Sequence, residues 1–304
     1  MDEHISGCVR SGEPSRFPRA DFDVSVRESD VFFAGHKKVR IGIVGLGSVG
    51  HALMSVMRYF FDTKGYDIIG EHDWIPIVES DVVFVCVQTP ESCDGRLDCS
   101  HVSEVLGRLS CSGYGGIVVI KSTLRVGFMD KASVNYPDLN IVYSPEFMSE
   151  RNAFAWTANP DRIVLSGKKE HIDLVEQLYF WADKAERIKT DYRSAEIGKL
   201  AHNAYIALKV TFTNTMESIC DSSSANANDV MKIVYTDRRV GNSAHLEPYK
   251  GPYGGKCVPK DTSELINAFG DQARLLKTAD EINDQLIESY SKKQLVRKTA
   301  TKAR

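Results

Sequence analysis

No stretch of this chain approaches the roughly 18 uninterrupted apolar residues that a membrane helix needs. The N-terminus lacks the basic-then-apolar layout of a secretory signal. Cysteines are few and odd in number: seven, scattered singly, with Cys93 and Cys99 the nearest pair and no CxxC spacing. That excludes a disulfide scaffold and gives no metal-ligand pattern, so no metal is expected. A reduced, cytoplasmic protein is the expectation. No excess of one charge is present either, since 38 Lys and Arg against 41 Asp and Glu leave a net charge of -3. Nothing there asks for a nucleic acid or a membrane as partner. With 304 residues, the chain is long enough for two domains with real cores.

Residues 1–38 are polar and broken by Gly12, Pro14 and Pro18, which reads as a flexible leader. From residue 39 to 191 short apolar runs alternate with helical stretches. The runs are Val39–Val44, Asp81–Val87, Ile117–Ile120, Ile141–Tyr143 and Ile163–Leu165. Runs without polar alternation suit strands buried on both faces. The expected fold is therefore α/β, a Rossmann-type doubly wound parallel sheet. Over 192–290 the texture becomes helical. Arg193 to about Ile219 carries apolar residues at helical spacing, a second helix begins near Asn226, and a third covers Ala273–Tyr290. Residues 291–304 read as a basic tail, disordered or foreign to the fold.

The segment Ile41-Gly-Ile-Val-Gly45-Leu-Gly47-Ser48-Val49-Gly50 is a GxGxxG turn between a strand and a helix. Gly45 permits the turn, Gly47 lets backbone approach a pyrophosphate, and Gly50 lets helix and sheet close up. The second strand is read as Asp67–Gly70, so Asp73, with Glu71 close behind, is the candidate for the ribose hydroxyls. An acid there favours NAD over NADP. Thr89 with Pro90, and Lys121-Ser-Thr123, end the next two strands at the same rim and are candidate nicotinamide-side contacts.

Gly254-Gly-Lys-Cys257-Val-Pro-Lys260-Asp261 places a cysteine in a Gly-rich polar loop between two lysines, a poor place for a structural thiol. Further segments share its character. Ser144-Pro-Glu146-Phe147-Met148-Ser-Glu150 precedes Asn159-Pro-Asp-Arg-Ile-Val, and Ala195-Glu-Ile-Gly-Lys199-Leu-Ala-His-Asn203 lies on the long helix. Asp237-Arg-Arg239-Val-Gly241 follows. Taken in order, these segments resemble the UDP-glucose/GDP-mannose dehydrogenase family from about Val39 to Tyr290.

The resemblance implies an NAD-dependent, two-step oxidation of a nucleotide-sugar primary alcohol to the uronic acid, UDP-glucose foremost. It casts Cys257 as nucleophile, Lys199 as stabiliser of negative oxygen, and Asp261 and Asn203 as water-holding groups, with Glu146 a further base. It assigns Glu150 and Lys260 to the cofactor side. Glu146, Phe147, Met148, Lys199, Asn203, Arg239, Tyr249, Lys250 and Gly254 fall to the substrate. Arg239 would reach across a homodimer built on the central helices.

Two departures stand out. The stretch between Asp73 and Asp81 is short, and the resemblance stops before the family's second Rossmann-like domain. Weak sugar-nucleotide binding without a partner domain is therefore expected. A non-catalytic NAD-binding dimer and a two-electron hydroxyacid dehydrogenase stay open as alternatives.

Overall fold

The structure is a computed structural model that describes residues 39–302 apart from Glu71 and Asn242, with side chains as far as Ser291. The leader expected over 1–38 and the candidate Glu71 lie outside the described residues. No helix among the described residues is long and apolar enough to cross a membrane.

Seven strands form one sheet in the order β2-β1-β3-β4-β5-β6-β7. They are β1 Arg40–Val44, β2 Asp62–Tyr66, β3 Val82–Val85, β4 Ile117–Ile120, β5 Asn140–Tyr143, β6 Arg162–Gly167 and β7 Glu186–Thr190. The central strands VVFV and IVVI are buried at every residue, as the unbroken apolar runs imply. Pairing is parallel except between β5 and β6, where Val142 faces Gly167 and Tyr143 faces Ser166 in antiparallel register. The sheet is thus mostly, not wholly, parallel.

Helices cover both faces. Ser48–Met57 (α1) and Lys169–Gln177 (α6) share one core with Ile41, Phe84 and Val119. Against the other face lie Ile75–Val78 (α2), Ser100–Cys111 (α3) and Phe128–Asn135 (α4), around Val83, Val85 and Ile120. A short helix, α5 Ala153–Ala158, crosses between β5 and β6.

The second core does not end at the sheet. It runs on into Ala195, Leu200 and Ala204 of α7 and Leu265 of α9, so one apolar mass joins the sheet to the helical region. Helix α7, Tyr192–Ser223, has 32 residues and is capped by Asp191, which accepts the Ser194 amide at 2.8 Å. It extends over about 48 Å at 1.5 Å per residue. Helix α8 covers Ala227–Thr236, α9 covers Val258–Phe269, and α10 covers Arg274–Lys302.

Three sequence expectations are corrected here. The second strand is Asp62–Tyr66, not Asp67–Gly70, and β7 was not foreseen. Lys260 and Asp261 lie on the first turn of α9 instead of in a loop, since Pro259 suits an early helical position. Residues 291–302, expected as a disordered tail, continue the helix α10.

Candidate active site

The strand order reverses at β1, whose neighbours are β2 and β3. Ligands of open α/β sheets bind beyond the carboxyl ends of strands at such a point. A cavity of about 590 Å³ opens there, lined by Gly45, Leu46 and Gly47, by Tyr66, Asp67 and Trp74, and by Gln88 and Arg108 among others. Gly45 has φ +90, and a Cβ on Gly50 would sit 1.9 Å from the Gly45 carbonyl oxygen, so helix and turn close only with glycine. A Cβ on Gly47 would meet nothing within 4 Å. Among the described residues no side chain caps α1 at Gly47. The turn therefore leaves open space and uncapped helix-terminal amides, which fit a dinucleotide pyrophosphate.

Asp67 and Glu104 both line this cavity. Asp67 is the first residue after β2, and sequence reasoning passed over it by starting the strand too late. Its carboxylate accepts the Leu46 amide at 2.6 Å and the Ile69 amide at 2.9 Å. Burial alone would raise its pKa, but the bonds from Leu46 and Ile69 outweigh burial and hold it below the usual range. Asp73 instead turns its carboxylate to the Ile75 amide at 3.0 Å, at the start of α2.

Across the cavity the Arg108 guanidinium lies 3.9 Å from the Trp74 ring centre and 5.0 Å from that of Tyr66. It also donates to the Tyr66 hydroxyl at 2.7 Å. An arginine 35 residues along the chain from Asp73 left no local signal.

Thr89, buried, and Pro90 follow β3, and half-buried Thr123 follows β4, at the same rim. Between them Ser122 donates its hydroxyl to the Val87 carbonyl at 2.7 Å, tying the two segments together.

The second cluster forms where α9 meets the middle of α7. Cys257 precedes α9 directly and is exposed. One turn into α9, the Asp261 carboxylate is wholly buried. It accepts Asn203 Nδ2 at 2.5 Å and Lys260 Nζ at 2.6 Å. Lys199 and Asn203 sit four residues apart on one face of α7 and both are buried. Burial lowers the Lys199 pKa, with Asp261 and Cys257 pulling the other way. Although Cys257 is exposed as a whole, partial desolvation of its thiol, then Asp261, raises the thiol pKa, while Lys260 and Lys199 lower it less. Glu150, exposed on the turn Glu150–Asn152, is close enough to add to that rise. Cys257, Lys199, Asn203, Asp261, Lys260 and Glu150 are thus brought together.

Phe147 connects this cluster to the sheet. Its ring carries Lys199 Nζ at 5.1 Å and the Arg162 guanidinium at 4.2 Å, and His202 meets it edge-on at 5.4 Å. Met148 beside it is half-buried. Glu146 is held in an ion pair with Lys121 at 3.3 Å. Burial opposes the charge on Lys121, yet Glu146, with Tyr179 and Cys86, outweighs it and keeps the ammonium above its ordinary pKa. Lys121 is read from sequence only as part of the strand-end segment Lys121–Thr123 on the nicotinamide side, and Arg162 and His202 lie within quoted segments without a role. Lys121 gave one signal, a lysine closing a strand buried on both faces.

Arg239, Tyr249, Lys250 and Gly254 are exposed. Arg239 bonds to its neighbour Asp237, Tyr249 to Glu217 and Asp221, and Lys250 to Glu247. None of the described partners of these side chains belongs to the Cys257 cluster. The Gly-rich segment is anchored from behind, where Asn283 accepts the Tyr253 amide at 2.9 Å and donates to its carbonyl at 3.2 Å.

Known proteins agree with this architecture. Residues 71–182 match the NAD binding domain of the UDP-glucose/GDP-mannose dehydrogenase family, and residues 193–285 match its central domain. UDP-glucose 6-dehydrogenase of Rhizobium meliloti (strain 1021) is 31% identical over 71% of this chain and 53% of its own length. UDP-glucose 6-dehydrogenase YwqF of Bacillus subtilis (strain 168) is 30% identical over 68% of this chain and 49% of its own. The chain thus spans about half the length of these curated relatives. A solved UDP-glucose dehydrogenase from Pyrobaculum islandicum shares the fold, with a TM-score of 0.74 at 23% identity over 83% of this chain and 69% of that one. The protein belongs to the UDP-glucose/GDP-mannose dehydrogenase family, of which it carries the NAD-binding and central domains.

Proposed function

We propose that this chain carries out the NAD-dependent oxidation of a nucleotide-sugar primary alcohol to the uronic acid. UDP-glucose, named for the relatives above, is the first substrate to test. The observation that carries the reading is the meeting of Cys257, Lys199, Asn203 and Asp261 where α9 abuts α7. NAD, held over Gly45–Gly50 with Asp67 at its ribose and Arg108 beside its adenine, would supply the oxidant for two hydride removals.

Lys199 faces the reacting oxygen. Its depressed pKa suits a group that accepts the alcohol proton and then stabilises negative oxygen. Cys257 Sγ adds to the resulting aldehyde carbon while its proton passes to the carbonyl oxygen, giving a thiohemiacetal. Removal of the second hydride and the hydroxyl proton leaves a thioester on Sγ. Water then adds to the thioester carbon, the C–S bond breaks, and the thiol regains a proton as the acid leaves. Asn203 and Asp261 are the groups that hold this water. Glu146 is the weaker candidate for base, since its charge is engaged by Lys121.

Arg239, Tyr249 and Lys250, exposed and apart from the cluster, suit a substrate shared with a second subunit. Exposed Tyr205, Phe212 and Ile219 recur every seventh residue on α7, a stripe that fits such a homodimer. The test is stoichiometry. Each UDP-glucose converted should yield two NADH, and Cys257→Ser should make no acid while still binding NAD. One NADH per sugar would replace this reading with a two-electron dehydrogenase, and none would withdraw it.

A further inference from the structure

Three residues beyond Asp261, helix α9 carries Glu264, whose side chain is wholly buried. Its partners belong to the NAD-binding domain. Glu264 Oε2 accepts the Leu97 amide at 2.7 Å. Oε1 accepts Arg96 Nε at 2.9 Å and the Val126 amide at 3.3 Å, and Arg96 Nη2 lies 2.9 Å from it.

The two backbone segments so held have a common meaning. Leu97 closes a strap that begins at Thr89 and Pro90, is pinched by a bridge between Glu91 and Leu97, and turns at Gly95 with φ +71. Val126 belongs to the segment that starts with Ser122 and Thr123. These are the two stretches that leave the cofactor-side rim of β3 and β4. The same helix adds a second grip on the strap. Ser263 donates to Glu91 at 2.7 Å, and Asn267 donates to the Gly95 carbonyl at 3.2 Å.

We infer that Glu264, paired with Arg96, is a positioning residue that fixes the Cys257 end of α9 against the nicotinamide-side rim. The inference rests on the cofactor and nucleophile reading proposed above. A buried carboxylate with four donors is a costly and directional device. The apolar contact of Leu265 with the sheet-side core already supplies cohesion between the two regions. What the carboxylate adds is register. It accepts two backbone amides and one guanidinium in one geometry, and so sets where the first turn of α9 stands relative to Thr89, Pro90 and Thr123. Cofactor occupancy at that rim is then felt at Cys257.

The readout is the alkylation rate of Cys257 by iodoacetamide, followed by peptide mass spectrometry with and without saturating NAD. In the wild-type chain NAD should slow labelling at least tenfold. Arg96→Met removes the guanidinium of a side chain about one quarter exposed and leaves the buried Glu264 carboxylate without its counter-charge, so it is read only where calorimetry shows that the variant binds NAD. Glu264→Gln keeps the shape but loses the charge. Both should bind NAD within about threefold of wild type by calorimetry, a 0.7 kcal/mol window. In both, the NAD effect on Cys257 should fall below threefold. A variant that binds NAD and retains tenfold protection overturns the inference, as does wild-type chain that binds NAD with no change at Cys257. Wild-type chain that does not bind NAD defeats the cofactor reading itself.

Discussion

Asn203 on α7 donates its side-chain amide to Asp261 on α9 at 2.5 Å, and that bond joins two helices far apart in sequence beside Cys257. The Asp261 carboxylate has no exposure, and Lys260 supplies its compensating charge. Removing one partner of a buried ion pair costs about 3–5 kcal/mol. Because Lys260 keeps some contact with water, Asp261→Ala should cost near the lower end, about 3 kcal/mol. Urea denaturation measures it. A loss under about 1 kcal/mol, the size of one ordinary hydrogen bond, would show that the pair does not hold α9 to α7.

The thiol of Cys257 has its own pH signature. Burial and the Asp261 charge raise its pKa, and Lys260 and Lys199 only partly offset them. A raised thiol pKa keeps the protonated, unreactive form dominant at neutral pH, and the thiolate grows in as the pH rises through that higher value. Labelling of Cys257 should thus be slower at pH 7 than for a free cysteine and should climb into the alkaline range. Asp261→Asn should speed it at pH 7, and Lys260→Met should slow it. A rate profile with its midpoint at or below that of a free thiol would contradict this electrostatic arrangement.

Asp67 and Asp73 make opposite claims on the cofactor. Asp67 lies on the cavity with both oxygens fixed by backbone amides, and Asp73 faces the start of α2. Asp67→Ala should weaken NAD binding about tenfold, or 1.4 kcal/mol, and erase a preference of similar size for NAD over NADP. Asp73→Ala should stay within about threefold. Calorimetric titration of both variants with both cofactors decides it. If Asp73→Ala is the damaging change, the assignment reverts to the acid nearer α2.

What the sequence made legible, and what it hid, follows from burial. The inner strands β1, β3 and β4 announce themselves because both faces are covered and, apart from Arg40 at the start of β1, no residue is charged or polar. The two edge strands do not. β2 reads DTKGY and β7 reads ERIKT, charged as solvent-facing edges usually are. Misplacing β2 by several residues moved the candidate for the ribose acid from Asp67 to Asp73. On the site, short-range motifs sufficed for Cys257, Lys199, Asn203 and Asp261. Partners that meet only through tertiary packing, such as Lys121 with Glu146 or Arg108 with Trp74, leave no spacing to read. Glu264 meets Arg96 at a separation of 168 residues, and Ser263 meets Glu91 at 172.

The stripe on α7 gives the last expected outcome. Tyr205, Phe212 and Ile219 are 60%, 45% and 52% exposed, and residues seven apart lie nearly above one another on a helix. Large apolar side chains scattered singly need no explanation, but three in register on one long helix make a seam. A seam of this kind pairs most economically with its own copy, because a two-fold axis across the helix sets Phe212, the middle member, against its mate. A charge at that centre must either be desolvated or hold the seam apart. Phe212→Glu should therefore weaken self-association at least a hundredfold, about 2.7 kcal/mol. Tyr205→Glu, at the end of the seam, should weaken it less. Sedimentation velocity across a concentration series reads both. Equal dimer content in wild type and Phe212→Glu would move the subunit contact off this face of α7, and with it the proposed route for a second subunit's Arg239 to the Cys257 cluster.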